Sequence, residues 1–150
     1  MVNVTLRSSL NAALSHTQMD ANLTALKDAV ELCPSNTFNI TVALDDEQGV
    51  YKYKFNGHGT DNDLQPTLYL FKGNTYHFNV STTGHPFYIT LQQQASASTV
   101  VANAWTDGVT NNGATTGVVK MEVMMDFPST LHYHCSLHTH MNGEIKIIGV

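Results

Sequence analysis

Residues 131–143 bring together three side chains that can bind a soft metal ion. Cys135, His138 and Met141 follow one another at three-residue steps, and Gly143 comes two residues later. A thiolate, a neutral imidazole and a weak thioether are the donors that copper prefers in a trigonal site with a long axial Met. Such a site needs a second imidazole, and His85, fifty residues before Cys135, is the best candidate. The spacing therefore predicts a copper site made of these four side chains.

Simpler interpretations of the same residues remain open at this stage. A free cysteine is commonly just a small buried hydrophobic residue, so Cys135 alone does not indicate a metal. His140 competes with His138 as the imidazole of this loop. Zinc is an alternative to copper, and the fold can persist with the site empty.

The other histidines and the second cysteine are not expected to bind a metal ion. His132 and His134 share one face of a predicted strand and are expected at the surface, and His58 is expected to be solvated in a polar loop. His77 should face away from the core. Cys33 is left over as a thiol that is buried rather than reactive.

The elements that must position the ligands are mostly strands. Apolar residues alternate with polar ones in eight segments, which are 38–44, 51–55, 67–71, 75–80, 87–91, 118–125, 131–135 and 144–148. Gly, Asn and Pro residues separate these segments, and a long loop over residues 92–117 is expected to be held down by Trp105. The pattern predicts a mainly β fold, a Greek-key sandwich or barrel.

The N-terminal part follows a different pattern. Residues 1–14 are interpreted as an extended arm. Ser15 and Gln18 fit a capping box, and apolar residues then recur at three- and four-residue spacing until Pro34, which predicts a helix over about 16–32. We therefore divide the chain into an arm and amphipathic helix at 1–35 and a β-domain at 36–150.

Composition excludes several classes of function. Charged residues make up only 13% of the chain and the net charge is −5, with no Lys/Arg cluster, so nucleic acid is not an expected partner. No apolar run reaches the 18 residues that a membrane span needs. The first ten residues lack a charged start followed by an apolar core, so no secretory signal is expected. No acid/base pair or Ser-His-Asp arrangement is visible, and an enzyme is not expected.

The chain from about residue 50 to its end resembles the cupredoxins, the blue-copper fold, and in particular a cupredoxin-like domain of marine bacterial and bacteriophage proteins. The resemblance is carried by four segments in the same order, which are Pro66–Val80, Gly84–Phe87, Asp107–Gly113 and Leu131–Gly143. It implies a cupredoxin-like fold with copper ligands at His85, Cys135, His138 and Met141. Residues 124–128 and Asn142 depart from the family's usual pattern, and none of them is a ligand.

The segment Leu14–Leu23 is similar to a phrase near the N-termini of bacteriophage tail and virion proteins. Together the two resemblances imply a virion structural protein, a capsid decoration or tail component. It would display the β-domain and contact copies of itself and other virion proteins through residues 1–33. The alternative is a soluble blue-copper electron-transfer protein of the periplasm or extracellular space.

Overall fold

The computed structural model describes residues 19–20, 36–94 and 96–149. The chain divides into two units, Met1–Pro34 and Ser35–Val150. Met19 and Asp20 are helical. The rest of the predicted arm and of the helix over 16–32, together with Cys33, lies outside the described residues. Within the described part, no helix has the length and apolar character that crossing a membrane requires.

Two sheets form the described part of the second unit. The first has six strands in the order β3-β2-β1-β5-β8-β7, and the second has four in the order β4-β10-β9-β6. Most neighbours are antiparallel, but β1 pairs with β5, and β4 with β10, in parallel. The strands are β1 (Thr37–Asp45), β2 (Val50–Gly57), β3 (Thr60–Leu64), β4 (Leu68–Phe71), β5 (Thr75–Ser81), β6 (Phe87–Thr90), β7 (Val109–Thr110), β8 (Thr116–Glu122), β9 (Thr130–Cys135) and β10 (Asn142–Ile148). The predicted mainly β sandwich is confirmed.

Alternation along each strand explains which face is buried. In β5, Tyr76, Phe78 and Val80 are buried while the residues between them are half-buried or exposed. The strand β3 was not predicted, because it reads Thr-Asp-Asn-Asp-Leu and none of its residues is buried. It pairs with β2 in antiparallel register and forms the polar edge of its sheet.

Aromatic rings fill the core at the start of β6. The ring of Phe87 lies 5.4 Å from that of Tyr53, 5.5 Å from that of Phe78 and 5.8 Å from that of Tyr133, measured between centroids. All four side chains are fully buried. Burying an aromatic side chain stabilises a fold by about 2 kcal/mol. This cluster therefore fixes the beginning of β6, two residues beyond His85.

The predicted loop over 92–117 contains a short helix, Ala97–Ala102, and the strand β7. Trp105 anchors it as expected. Its amide donates to the carbonyl of Ile89 at 2.7 Å, and its ring packs edge-on against Phe127 at 5.6 Å. The side chain of Asn112 adds hydrogen bonds to both backbone groups of Ile89. The loop is thus fastened to β6, the strand that follows His85.

Candidate metal centre

Three of the four predicted ligands lie together in space. One ligand atom from each of His85, Cys135 and His138 lies within 4.8 Å of the other two. The Sγ atom of Cys135 is 3.7 Å from Nδ1 of His138, and the two imidazole rings are 4.7 Å apart between centroids. Within the described ranges, this is the one group of three or more Cys, His or acidic side chains that are close enough to share an ion.

The turn between β9 and β10 positions Cys135, His138 and Met141. Cys135 is the last residue of β9, and Met141 immediately precedes β10. The amide of Cys135 donates to the carbonyl of Met141 at 2.8 Å, and the amide of Met141 donates to the carbonyl of His138 at 3.1 Å. Met141 is fully buried. Its backbone is therefore tied to both of the other ligands in this turn, while ligation by its thioether stays a prediction.

Hydrogen bonds before β6 hold His85. Its amide donates to the carbonyl of Thr82 at 2.7 Å, and the buried hydroxyl of Thr82 donates to the carbonyl of His85 at 2.7 Å. The hydroxyl of Tyr53 donates to the next carbonyl, that of Pro86, at 2.7 Å. Phe87 then pairs with Cys135 across β6 and β9. Because Phe87 is aligned with Cys135, His85, two residues earlier, lies near the Cys135 thiol.

The hydrogen-bonding state of these atoms fits a soft metal ion. Nδ1 of His85 is buried and has no hydrogen-bond partner. A buried polar atom without a partner is unfavourable, and a metal would supply the missing interaction. Cys135 is 1% exposed, and its sulfur accepts a hydrogen bond from the amide of Leu137 at 3.4 Å. One thiol and two imidazoles, with a buried thioether close by in sequence, are donors suited to copper, with zinc as the alternative.

Burial and two neighbouring histidines favour the neutral form of the His85 imidazole. Burial lowers its pKa below the ordinary value, and the neighbouring His138 and His140 lower it further. A neutral imidazole is the form that binds a metal, so less proton competition is expected at His85 than at an exposed histidine. Beneath the site, burial raises the pKa of the Tyr53 hydroxyl, and the nearby Cys135 raises it further. Tyr53 is therefore a neutral hydrogen-bond donor here.

The prediction of an exposed histidine is wrong for His134 and His58, and His132 is half-buried as well. His134 is 1% exposed, and the amide of Gln94 donates to its Nε2 at 3.2 Å. His58 is half-buried rather than solvated, because its ring packs against Phe38 and Tyr76 at 4.9 and 5.0 Å. The exposed position of His77 is as expected.

The burial of His134 predicts a pH-dependent stability. Burial, followed in size by the nearby His132, lowers the pKa of His134 to about 4. An unfolded chain protonates a histidine at about pH 6.5. The stabilisation from neutral His134 is therefore complete above pH 6.5 and is lost as the pH falls towards 4.

We expect the free energy of unfolding of His134→Gln to fall less between pH 7 and 4.5 than that of the wild type, because an amide oxygen accepts the same hydrogen bond without titrating. The measurement is urea unfolding of the metal-free proteins. His77→Gln is the control and should follow the wild type. If the free energy of unfolding fell equally with pH in His134→Gln and the wild type, His134 would not be the source of the pH dependence.

Comparison with known proteins gives structural likeness alone. No protein-family model and no curated protein matches the chain. Rusticyanin from Thiobacillus ferrooxidans is 20% identical, with 76% of this chain and 79% of that chain covered and a TM-score of 0.44. Plastocyanin from Dryopteris crassirhizoma is 18% identical, with 75% and 99% covered and a TM-score of 0.39. A multicopper oxidase from Aquifex aeolicus is 20% identical, with 75% and 26% covered and a TM-score of 0.38.

The two sheets of this chain and the ligand turn between β9 and β10 agree with the fold that the sequence resemblance implies. The fold is cupredoxin-like. The copper interpretation is consistent with the donors that this fold brings together.

Proposed function

We propose that this chain binds copper at His85, Cys135, His138 and Met141 and transfers single electrons through it. The observation that carries the proposal is the buried thiol of Cys135 with two imidazole nitrogens within 4.8 Å. This donor set is typical of blue-copper electron-transfer sites, in which the thioether and the hydrogen bonds around the sulfur tune the reduction potential. When bound, copper would supply the one-electron chemistry, and the protein would hold its ligands in place.

The rigidity of the surroundings favours electron transfer over catalysis. The ligands stand at the end of β9, in the short turn before β10 and just before β6, and all three strands belong to one sheet. The aromatic core around Phe87 lies directly behind them. With Met141 as the fourth donor, the site would have no open position for a substrate, unlike catalytic metal sites, which keep one. We therefore propose a carrier rather than an enzyme.

The half-buried imidazoles offer a route for the electron. His138 is flanked in sequence by Leu137, whose side chain is 59% exposed. The ring of Tyr51, 53% exposed, lies 5.8 Å from that of His85. Weak redox encounters use small contact areas. An apolar rim beside a ligand imidazole suits such a brief contact with a second redox protein.

Repeated redox cycling tests this function. We expect the copper-loaded protein to show an intense visible thiolate-to-copper absorption that disappears on one-electron reduction and returns on oxidation, without loss over several cycles. His140→Ala is the matched control, because His140 is exposed in the same turn yet is not part of the cluster, and it should cycle like the wild type. Copper that is lost at the first reduction, or binding with no such band, would contradict electron transfer.

The virion role remains a prediction from the N-terminal segment. The residues that motivate it, Leu14–Leu23, lie outside the described part except for Met19 and Asp20. In that role a bound metal would act as a staple that adds to the folding free energy. An unchanged oligomeric state after deletion of residues 1–33 would remove its support.

A further inference from the structure

Through its side chain, Gln65 contacts the turn that carries Cys135, His138 and Met141. It lies in the connection between β3 and β4, far from the ligands in sequence. Its side-chain Nε2 donates to the carbonyl of His140 at 3.0 Å and to the carbonyl of Asn142 at 3.0 Å. These carbonyls stand immediately before and after Met141. A single amide therefore binds the carbonyls of the two residues that flank Met141, the predicted thioether ligand.

The orientation of this amide follows from its partners. Carbonyl oxygens can only accept hydrogen bonds, so the nitrogen rather than the oxygen of the Gln65 amide must face them. Oε1 of Gln65 is then directed elsewhere, and it is buried without a partner. The contact is thus kept although it leaves a buried acceptor unsatisfied, which is unfavourable.

The backbone of Gln65 is also held in an uncommon conformation. Its φ is +47°, in the left-handed region that a side chain with a Cβ seldom adopts. Its amide donates to the carbonyl of Tyr53 at 2.9 Å, and the next carbonyl, that of Pro66, accepts from the hydroxyl of Tyr133 at 2.7 Å. Both tyrosines are fully buried. The core thus fixes the point from which the Gln65 side chain reaches the turn.

We propose that Gln65 is a positioning residue that sets the location of Met141 relative to Cys135 and His138. Four hydrogen bonds hold the backbone of Met141 and of its two neighbours. Its own amide and carbonyl pair with His138 and Cys135, and the carbonyls on either side pair with Gln65. Because the backbone is held at each of these points, the position of the Met141 Cα atom, from which the side chain extends, is fixed. This inference rests on the proposed copper site, in which the thioether tunes the reduction potential.

Hydrogen exchange in the metal-free protein tests the backbone part of the proposal. Gln65→Met keeps the length of the side chain and removes its donors. Loss of the two hydrogen bonds should make the Met141 amide exchange about tenfold faster through local opening. The matched control is Gln93→Met. The side-chain Nε2 of Gln93 donates to Oδ1 of Asn142 at 3.2 Å. This bond involves a side chain of the same turn but no backbone carbonyl beside Met141. Exchange at Met141 in this control should equal that in the wild type.

The copper-loaded proteins test the effect on the ligand. We expect Gln65→Met to shift both the reduction potential and the visible band, and Gln93→Met to shift neither. Gln65→Asn is the second variant in case Gln65→Met does not fold. It retains the amide but is one methylene too short to span both carbonyls, and the same shifts are expected.

The outcomes separate this inference from the proposed function. Unchanged exchange at Met141 in the Gln65 variants would overturn the inference whether or not copper binds. Faster exchange with an unchanged potential and band would also overturn it, because the backbone contact would then not reach the thioether. A wild-type protein that takes up no copper would overturn the proposed function, while the exchange comparison would still decide whether Gln65 positions Met141.

Discussion

Replacing Cys135 by serine will abolish the stabilisation that copper gives the wild-type protein. A ligand that binds the folded state alone, at a free concentration about a thousand times its Kd, raises the free energy of unfolding by about 4 kcal/mol. The thiol of Cys135 is the softest donor in the cluster, and it lies within 4.8 Å of both imidazole nitrogens. A serine hydroxyl is a poor replacement for a thiolate as a copper ligand. We therefore expect the stabilisation to disappear almost completely.

The comparison is between unfolding free energies with and without copper(I), measured for each variant by chemical denaturation. Each protein is its own reference, because a buried hydroxyl at position 135 can destabilise the metal-free fold by itself. His77→Ala removes an exposed histidine on the other sheet and should keep the full effect of copper. Equal stabilisation of Cys135→Ser and the wild type would show that copper binds elsewhere.

Adding one methyl group at Gly143 will destabilise the fold by about 3 kcal/mol, the upper part of the range for overpacked cores. Gly143 pairs with Tyr133 across β9 and β10, and a Cβ on Gly143 would overlap the phenol ring and hydroxyl of Tyr133. Tyr133 is fully buried and donates its hydroxyl to the carbonyl of Pro66, next to Gln65. Neither the ring nor the strand can therefore move without disturbing the ligand turn.

Gly73→Ala is the matched control for Gly143→Ala. Gly73 has a φ of +82° and open space around the position of an added Cβ, so its substitution costs only backbone strain, about 1 kcal/mol. Gly143 has no positive φ, and its cost is steric. Urea unfolding of the metal-free variants measures both. A loss at Gly143 no larger than that at Gly73 would mean that β10 and Tyr133 have more room than the structure shows.

The ligand cluster could be predicted from sequence because most of its information is local. Cys135 and His138 are three residues apart, and their residue types and spacing predict that both can bind one metal ion. His85 was identified as the missing imidazole before a strand start, and alternating polarity placed that strand correctly. The mainly β class followed from the same alternation. Whether Met141 completes the ligand set stays a prediction.

Long-range packing explains what the sequence did not reveal. Alternation in β9 places His134 and Cys135 on opposite faces of the strand, but it cannot show that the Gln94 amide returns to the His134 ring and donates to it. Gln65 carries no local signal, since its role depends on contacts with residues 75 and 77 positions further along the chain. Such contacts exist only once both sheets have formed.

The most direct test of the copper site is X-ray absorption at the copper edge of the loaded protein. Our account predicts one short copper–sulfur distance, from Cys135, and two copper–nitrogen distances, with the short copper–sulfur distance absent in Cys135→Ser. Coordination by nitrogen and oxygen alone in the wild type would contradict the site made by His85, Cys135 and His138.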